Sequence, residues 1–481
     1  MSNPTKRLLP FLLGLCLLFP VGCGQKTPPE AGTGTDSDHA SGEETYPLDF
    51  DGRRYEDYSF DILRYDTESD RGWTGIPNDI YVASAGADTL EQAVYSRNEQ
   101  LRALLGANVT MKLWGNGLST HLRQKLNDGS KPYDAVVQVT TYLYQLFNMG
   151  LIRDMDTLGL DTSFDWWDPN ATDTFTIEGK MFGAVSDMTY IDKLSTIGVF
   201  FRPDVVRDLE MDDPFTLVEN GDWSYDVFYS SAKKATDNID GMNGISCQND
   251  APYFFLHAAN LKTAEKDSSG SIVSNINGER QITLLQNIYT LMNSEIFFNR
   301  QTAGLDPNET ARRFAEAGKN LYLVRPLQAY YNIKDYTSNY GILPMPKYDE
   351  LVTGYYSPVN IYSAGVLCIP KNAENPERLC DLLQAMAMLS NRIVMPEFYN
   401  TVLGRRFAGD PQSAKMLDLI FRNRVYDIGM IWNFGKVRDI LVKSGDDIKT
   451  AAGTVSSDIK SAYETILDDI DAFVTDMKDY K

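Results

Sequence analysis

The chain has 481 residues, 43% of them hydrophobic and 23% charged, a profile that fits a folded protein of two or three domains, each able to bury a core. Its 66 acidic against 45 basic residues give a formal net charge of −21, which argues against nucleic acid and against a surface held to anionic lipid by charge alone. Three histidines, one of them (His39) in a polar stretch, leave too few for a multi-histidine metal cage.

Residues 1–22 read as a secretory signal. Lys6 and Arg7 precede an apolar stretch over 8–21, which is short for a bilayer span. The stretch ends at Gly22-Cys23, and small residues directly before a cysteine resemble the bacterial lipobox, with Pro20 in place of the usual leucine. Cys23 is therefore the expected lipidation site. Removing residues 1–22 takes away Lys6 and Arg7 and no acid, leaving −23. Residues 23–46 then read as a lipidated cysteine and a flexible tether. Nothing between Gly24 and Thr45 is large and apolar enough to offset the entropy of ordering it.

The body begins near residue 47, with a hairpin expected around Asp51-Gly52 and a strand over 58–65. An apolar strand is expected at 79–84, and Asp88 with Glu91 opens a helix whose apolar face runs to Gly106. Strands at 109–114 and 133–139 flank a helix at 118–127, which implies βαβ units and a largely parallel sheet. The pattern resumes with a strand at 197–201 and helices at 225–235, 282–294 and 309–317. Asn375-Pro376 and Asp410-Pro411 each supply a cap and a first-turn proline, and a final helix carries Val455, Ile459, Tyr463, Ile466, Ile470, Phe473 and Met477 on one stripe. After Cys16 and Cys23, only Cys247, Cys368 and Cys380 remain; they form no disulfide framework or C-x-x-C pair, and Cys368 and Cys380 read as small buried hydrophobes.

No phosphate loop, dinucleotide fingerprint, nucleophile elbow or zinc-protease motif occurs, so no cofactor, metal or catalytic residue is expected. Aromatics are abundant instead: 27 Tyr, 22 Phe and 6 Trp. Many sit at strand ends or turns, among them Trp114, Tyr142, Trp166, Trp167, Tyr253 and Trp432. Ring faces suit the apolar faces of sugars, which tilts the reading towards a polar, ring-shaped ligand.

Several stretches resemble the extracellular solute-binding proteins of ABC importers, family 1, the maltose-binding-protein-like class: FAEAGKNLYLV at 314–324, YGILPMPK at 340–347, and SAGVLCIPK at 363–371 followed by Asn375-Pro376-Glu377. The run 351–356 and the run 415–429 look like a Firmicutes lipoprotein branch of that class. The resemblance covers most of 55–435. It implies an α/β, two-lobed periplasmic-binding-protein fold of type II with a ligand cleft between the lobes. Lobe 1 would comprise 47–187 plus 360–412, and lobe 2 190–356 plus 413–481, with crossings near 186–192 and 356–363. It implies a monomeric lipoprotein on the extracellular face of the cell membrane that hands a carbohydrate to permease subunits. A peptide or other polar solute is the alternative ligand, and a two-carboxylate surface glycoside hydrolase the alternative class. The cleft positions carried over are Thr141 and Tyr142 after the third strand, Asp187 at the first crossing, Tyr253, Arg325 after an apolar strand, Trp432 as a stacking ring, and Trp114 at a strand end.

Overall fold

The computed structural model describes residues 47–66, 78–333, 339–404, 411–432 and 447–477. The expected signal, Cys23 and the expected tether lie outside them. The two large sheets with their helices lie within residues 50–481.

The first sheet grows from the expected βαβ run. Strand β1 (Ser59–Tyr65) leads through helix α1 (Thr89–Leu105) to β2 (Asn108–Trp114), then through α2 (Leu118–Asn127) to β3 (Ala135–Val139). The side chain of Asp88 accepts the N–H groups of Leu90 and Glu91 to start α1. Gly106, at φ 77°, closes it in the left-handed conformation that only glycine adopts without strain. β1 pairs in parallel with both β2 and β3.

The second sheet uses β4 (Ile197–Phe201), α3 (Tyr225–Asn238), β5 (Asn243–Cys247), α4 (Ala251–Ala258), α5 (Glu279–Met292), β6 (Phe297–Asn299), β7 (Asn320–Pro326) and β8 (Gly341–Leu343). Its order is β6-β5-β7-β4-β8. The β5 pairs are parallel, and β4 runs antiparallel to β7 and β8. The chain then returns: β9 (Gly365–Cys368) adds antiparallel to β3, giving the first sheet the order β9-β3-β1-β2. Helix α6 (Pro376–Leu389), capped by Asn375, packs against α1. Helix α7 (Pro411–Arg422) goes back to β8, and α8 (Ile448–Met477) packs on α5.

Three crossing segments are tied to one another. Thr196 bridges Val359, the Asn360 N–H donates to the Ser195 carbonyl, and Arg424–Val425 pairs in parallel with Ser357–Pro358. The central strands β3, β4 and β7 are buried on both faces along their whole length, whereas the edge strand β2 is largely open.

Several local expectations fail. Residues 79–84 form bends, because Arg97 and Asn98 of α1 take the carbonyls of Asp79 and Ile80 that a strand would need. Asp51-Gly52 makes a turn without flanking strands. Cys380 is half-buried rather than enclosed and its thiol faces the Gly159 carbonyl, whereas Cys368 is buried as expected. Asp410 lies outside the described residues, as do the side chains of Ile470, Phe473 and Met477; Val455, Ile459, Tyr463 and Ile466 are buried. No helix among the described residues is long and apolar enough to cross a membrane.

Candidate binding cleft

Open parallel sheets expose backbone and loop groups beyond the carboxyl ends of their strands. Five of the seven sequence candidates fall at such ends. In the first sheet, Trp114 ends β2, and Thr141 and Tyr142 form the single turn after β3. His121 stacks on Trp114 at 3.7 Å, which occupies one face of the indole, and its Nε2 lies 3.0 Å from the Tyr133 hydroxyl. Tyr142 tilts against Tyr65, the last residue of β1, at 5.9 Å. In the second sheet Arg325 stands at the end of β7, and Tyr253 opens α4 just beyond β5.

Two of these candidates converge on adjacent residues of the second crossing. The Thr141 N–H donates to the Ile361 carbonyl at 3.1 Å, and the Tyr253 hydroxyl reaches Asn360 Oδ1 at 3.5 Å. One comes from each sheet, so the crossing sits where the two strand ends meet. Tyr253 is only 2% exposed, held edge-on by Phe254.

Asp187 belongs to a buried charge network at the crossings. Its Oδ1 takes Lys193 Nζ at 2.7 Å and its Oδ2 takes Asn391 Nδ2 at 2.8 Å. Arg424 donates to Asp168 at 2.6 Å and lies 2.9 Å from Asp192 as an ion pair outside hydrogen-bonding geometry, so neither Asp192 oxygen accepts a hydrogen bond among the described residues. Burial pushes the Asp192 carboxyl up; Asp168 is likewise buried, but Arg424 holds it below the usual range. A cavity of about 270 Å³ opens on this network, lined among others by Trp166, Asp187, Asn391, Tyr399 and Arg424. Trp166 and Trp167 both donate their indole N–H to Gln384 Oε1 of α6, at 3.1 and 2.9 Å. These two rings, met in the sequence as turn aromatics, are buried side chains here.

Trp432 is placed differently from the stacking ring expected of it. It is 3% exposed and packs perpendicular to Phe147 at 5.2 Å and Phe182 at 6.1 Å, so the indole is enclosed in protein. The turn before it, Ile428–Ile431, is fixed by Asp427, which accepts from the Thr263 N–H and hydroxyl, the Gly429 N–H and His257 Nε2.

The sequence missed Gln248, Arg300 and Asn360. Strand register is their signal: Phe297, Ile245 and Tyr322 are partners across β6, β5 and β7. Three residues further on, Arg300, Gln248 and Arg325 therefore stand in one row at the carboxyl edge. Arg300 donates to Gln248 Oε1 at 3.1 and 3.3 Å, and Gln248 in turn donates to Asp250. Such an edge can orient hydroxyls and anionic groups. His121 and His257 are both occupied by structural partners, and burial pushes the Cys247 thiol up to about 12. Among the described residues no group of three or more metal-ligating side chains forms.

No family model matches the chain, and no curated protein matches it in sequence. Solved structures do match in fold. The cyclic alpha-maltosyl-1,6-maltose binding protein of Arthrobacter globiformis aligns with a TM-score of 0.59 at 11% identity, over 85% of this chain and 100% of that one. The GacH receptor of Streptomyces glaucescens, solved unliganded and with acarbose, gives 0.54 at 13% identity over 86% and 100%. An ABC substrate-binding protein of Listeria monocytogenes in complex with cycloalternan gives 0.52 at 15% identity over 85% and 98%. The chain thus has the α/β, two-lobed fold of the periplasmic binding proteins, of the maltose-binding-protein-like kind.

Proposed function

We propose that this protein is an extracellular solute-binding protein that captures a carbohydrate, most simply an oligosaccharide, between two lobes and delivers it to an ABC importer. The observation that carries the reading is the convergence of Thr141 and Tyr253, one from each sheet, on Ile361 and Asn360 of a crossing segment. A ligand seated there touches both lobes and the hinge at once. The lobes are taken as 47–187 plus 360–412 and 190–356 plus 413–481. The structural neighbours that bind cycloalternan, acarbose and cyclic maltosyl-maltose favour a glycan as cargo.

The mechanism is physical rather than chemical. Ligand held by one lobe gains contacts to the other only on closure, and this differential affinity shifts the population towards the closed form. Trp114, Tyr142 and Tyr253 supply ring surface and hydroxyls, Thr141 and Arg325 supply polar contacts, and Asp187 with Lys193 stiffens the hinge. Trp432 acts as an interlobe wedge rather than a stacking platform. Cys23 carries the lipid, residues 23–46 give the reach to meet permease subunits at the membrane, and the protein works as a monomer. The branch is that of the Firmicutes lipoproteins.

A thermal-shift screen of residues 47–481 against mono- and oligosaccharides, with peptides as controls, tests this. Ligand at 100 times its Kd adds about 2.7 kcal/mol and raises Tm by a few degrees. A shift with one glycan class and no turnover over hours is the expected result. A shift with peptides alone would overturn the carbohydrate assignment, and release of shorter glycans would overturn the non-catalytic one.

A further inference from the structure

Three arginines are buried among the described residues; Arg64 pairs with Asp79 at 2.9 Å, and the other two differ in one respect. Arg97, in α1, spends its donors on Asn98, Ser390 and the carbonyls of Asp79, Ile80 and Met188. It is a closed structural group. Arg325 is 4% exposed, its Nε is buried without a partner, and its guanidinium makes no ion pair among the described residues. Its neighbour in the row, Gln248, has its carbonyl taken by Arg300 and its amide by Asp250, so nothing is left over for Arg325. The second cation of the row, Arg300, has its remaining Nη1 on the Leu305 carbonyl at 3.3 Å.

We propose that the cargo is an acidic saccharide, a glycan bearing a carboxylate, whose anionic group pairs with the Arg325 guanidinium at the carboxyl edge of the second sheet. This rests on the carbohydrate reading given above. An enclosed charge with no ion-pair partner in contact is costly, and sugar hydroxyls would satisfy its N–H groups without neutralising it. A carboxylate does both, because its two oxygens match the guanidinium fork. The position agrees: Arg325 lies level with Gln248 and Arg300, beyond which ligand-facing loops begin. Burial, together with the like charge of Arg300, pushes the Arg325 guanidinium down to about 9 against the opposing charge of Asp250, and burial lowers Arg300 against Asp250 and Asp306.

The test titrates residues 47–481 with tetrasaccharides of galacturonate, mannuronate, guluronate and glucuronate, with their carboxyl-reduced counterparts, and with neutral gluco-oligosaccharides. At least one uronate is expected to bind, with its carboxyl-reduced form weaker by roughly 10- to 100-fold, the range for hydrogen bonds to a charged group. Arg325→Gln keeps donors but loses the charge; it should erase that preference while melting no lower than the parent protein when free. Equal affinity for a uronate and its reduced form, or a neutral glycan bound above every uronate, overturns the inference and leaves carbohydrate capture standing. Silence from every saccharide overturns both. Wild-type uronate affinity in Arg325→Gln removes Arg325 from the site.

Discussion

At the scale of single residues, Asp427 shows how a buried carboxylate organises a segment. It is fully enclosed, and burial alone would raise its carboxyl; the hydrogen bonds from His257 and Thr263 instead hold it below the usual range. A carboxylate whose folded pKa lies below its unfolded value of about 4 contributes stability that is complete above that value and is lost as pH falls through the folded one. Acid unfolding curves of the wild type should therefore steepen below about pH 4. Asp427→Asn should cost about 1–3 kcal/mol at neutral pH, since it weakens charge-assisted hydrogen bonds in an enclosed site, and should flatten that acid limb. An unchanged acid limb would show that Asp427 is not the titrating group. The next residues leave no slack: a Cβ on Gly429 would stand 2.3 Å from the Thr263 hydroxyl oxygen, so the turn must be glycine there.

At the scale of elements, the short strand Arg424–Val425 does more than its two residues suggest. It pairs with Ser357–Pro358 and carries Arg424 between Asp168 and Asp192, which come from earlier parts of the chain. Arg424→Met leaves both carboxylates enclosed without their cation and should cost about 3–5 kcal/mol in denaturant unfolding. Adding Asp192→Asn should return part of that loss, because sites in contact couple; strict additivity of the two changes would deny the network. Elements of this kind were beyond the sequence. The helix at 118–127 and the strand at 197–201 were legible to the residue, because periodicity and caps act locally. The strand expected at 79–84 was lost to Arg97, a residue of the following helix. The row of Arg300, Gln248 and Arg325 depends on register among three strands spread over nearly eighty residues, which no local pattern encodes. Of the cleft candidates, Arg325 was named for its place after an apolar strand and Tyr253 for the resemblance of its stretch to a ligand loop, whereas the enclosure of Trp432 was not legible, since Phe147 and Phe182 lie far away in sequence.

At the scale of the whole molecule, the contacts that join residues 147–182 to residues 263–463 bear on closure. Lys266 pairs with Asp173 at 3.1 Å, Tyr463 donates to Glu178, and Trp432 packs against the touching pair Phe147 and Phe182. The ion pair is partly exposed and contributes little. The buried indole contributes more, since loss of an enclosed Trp side chain costs about 3–5 kcal/mol. If that contact belongs to the closed arrangement, Trp432→Ala lowers the closed fraction, and apparent affinity falls in the same proportion without any lost ligand contact. Small-angle scattering should then find the free variant with a larger radius of gyration than the free wild type. At saturating ligand the two should coincide, with the variant needing more ligand to get there. A variant whose free radius is unchanged and whose Tm alone drops would make Trp432 a part of one lobe's core. A variant that stays expanded at saturation would instead make the indole necessary to the closed state itself.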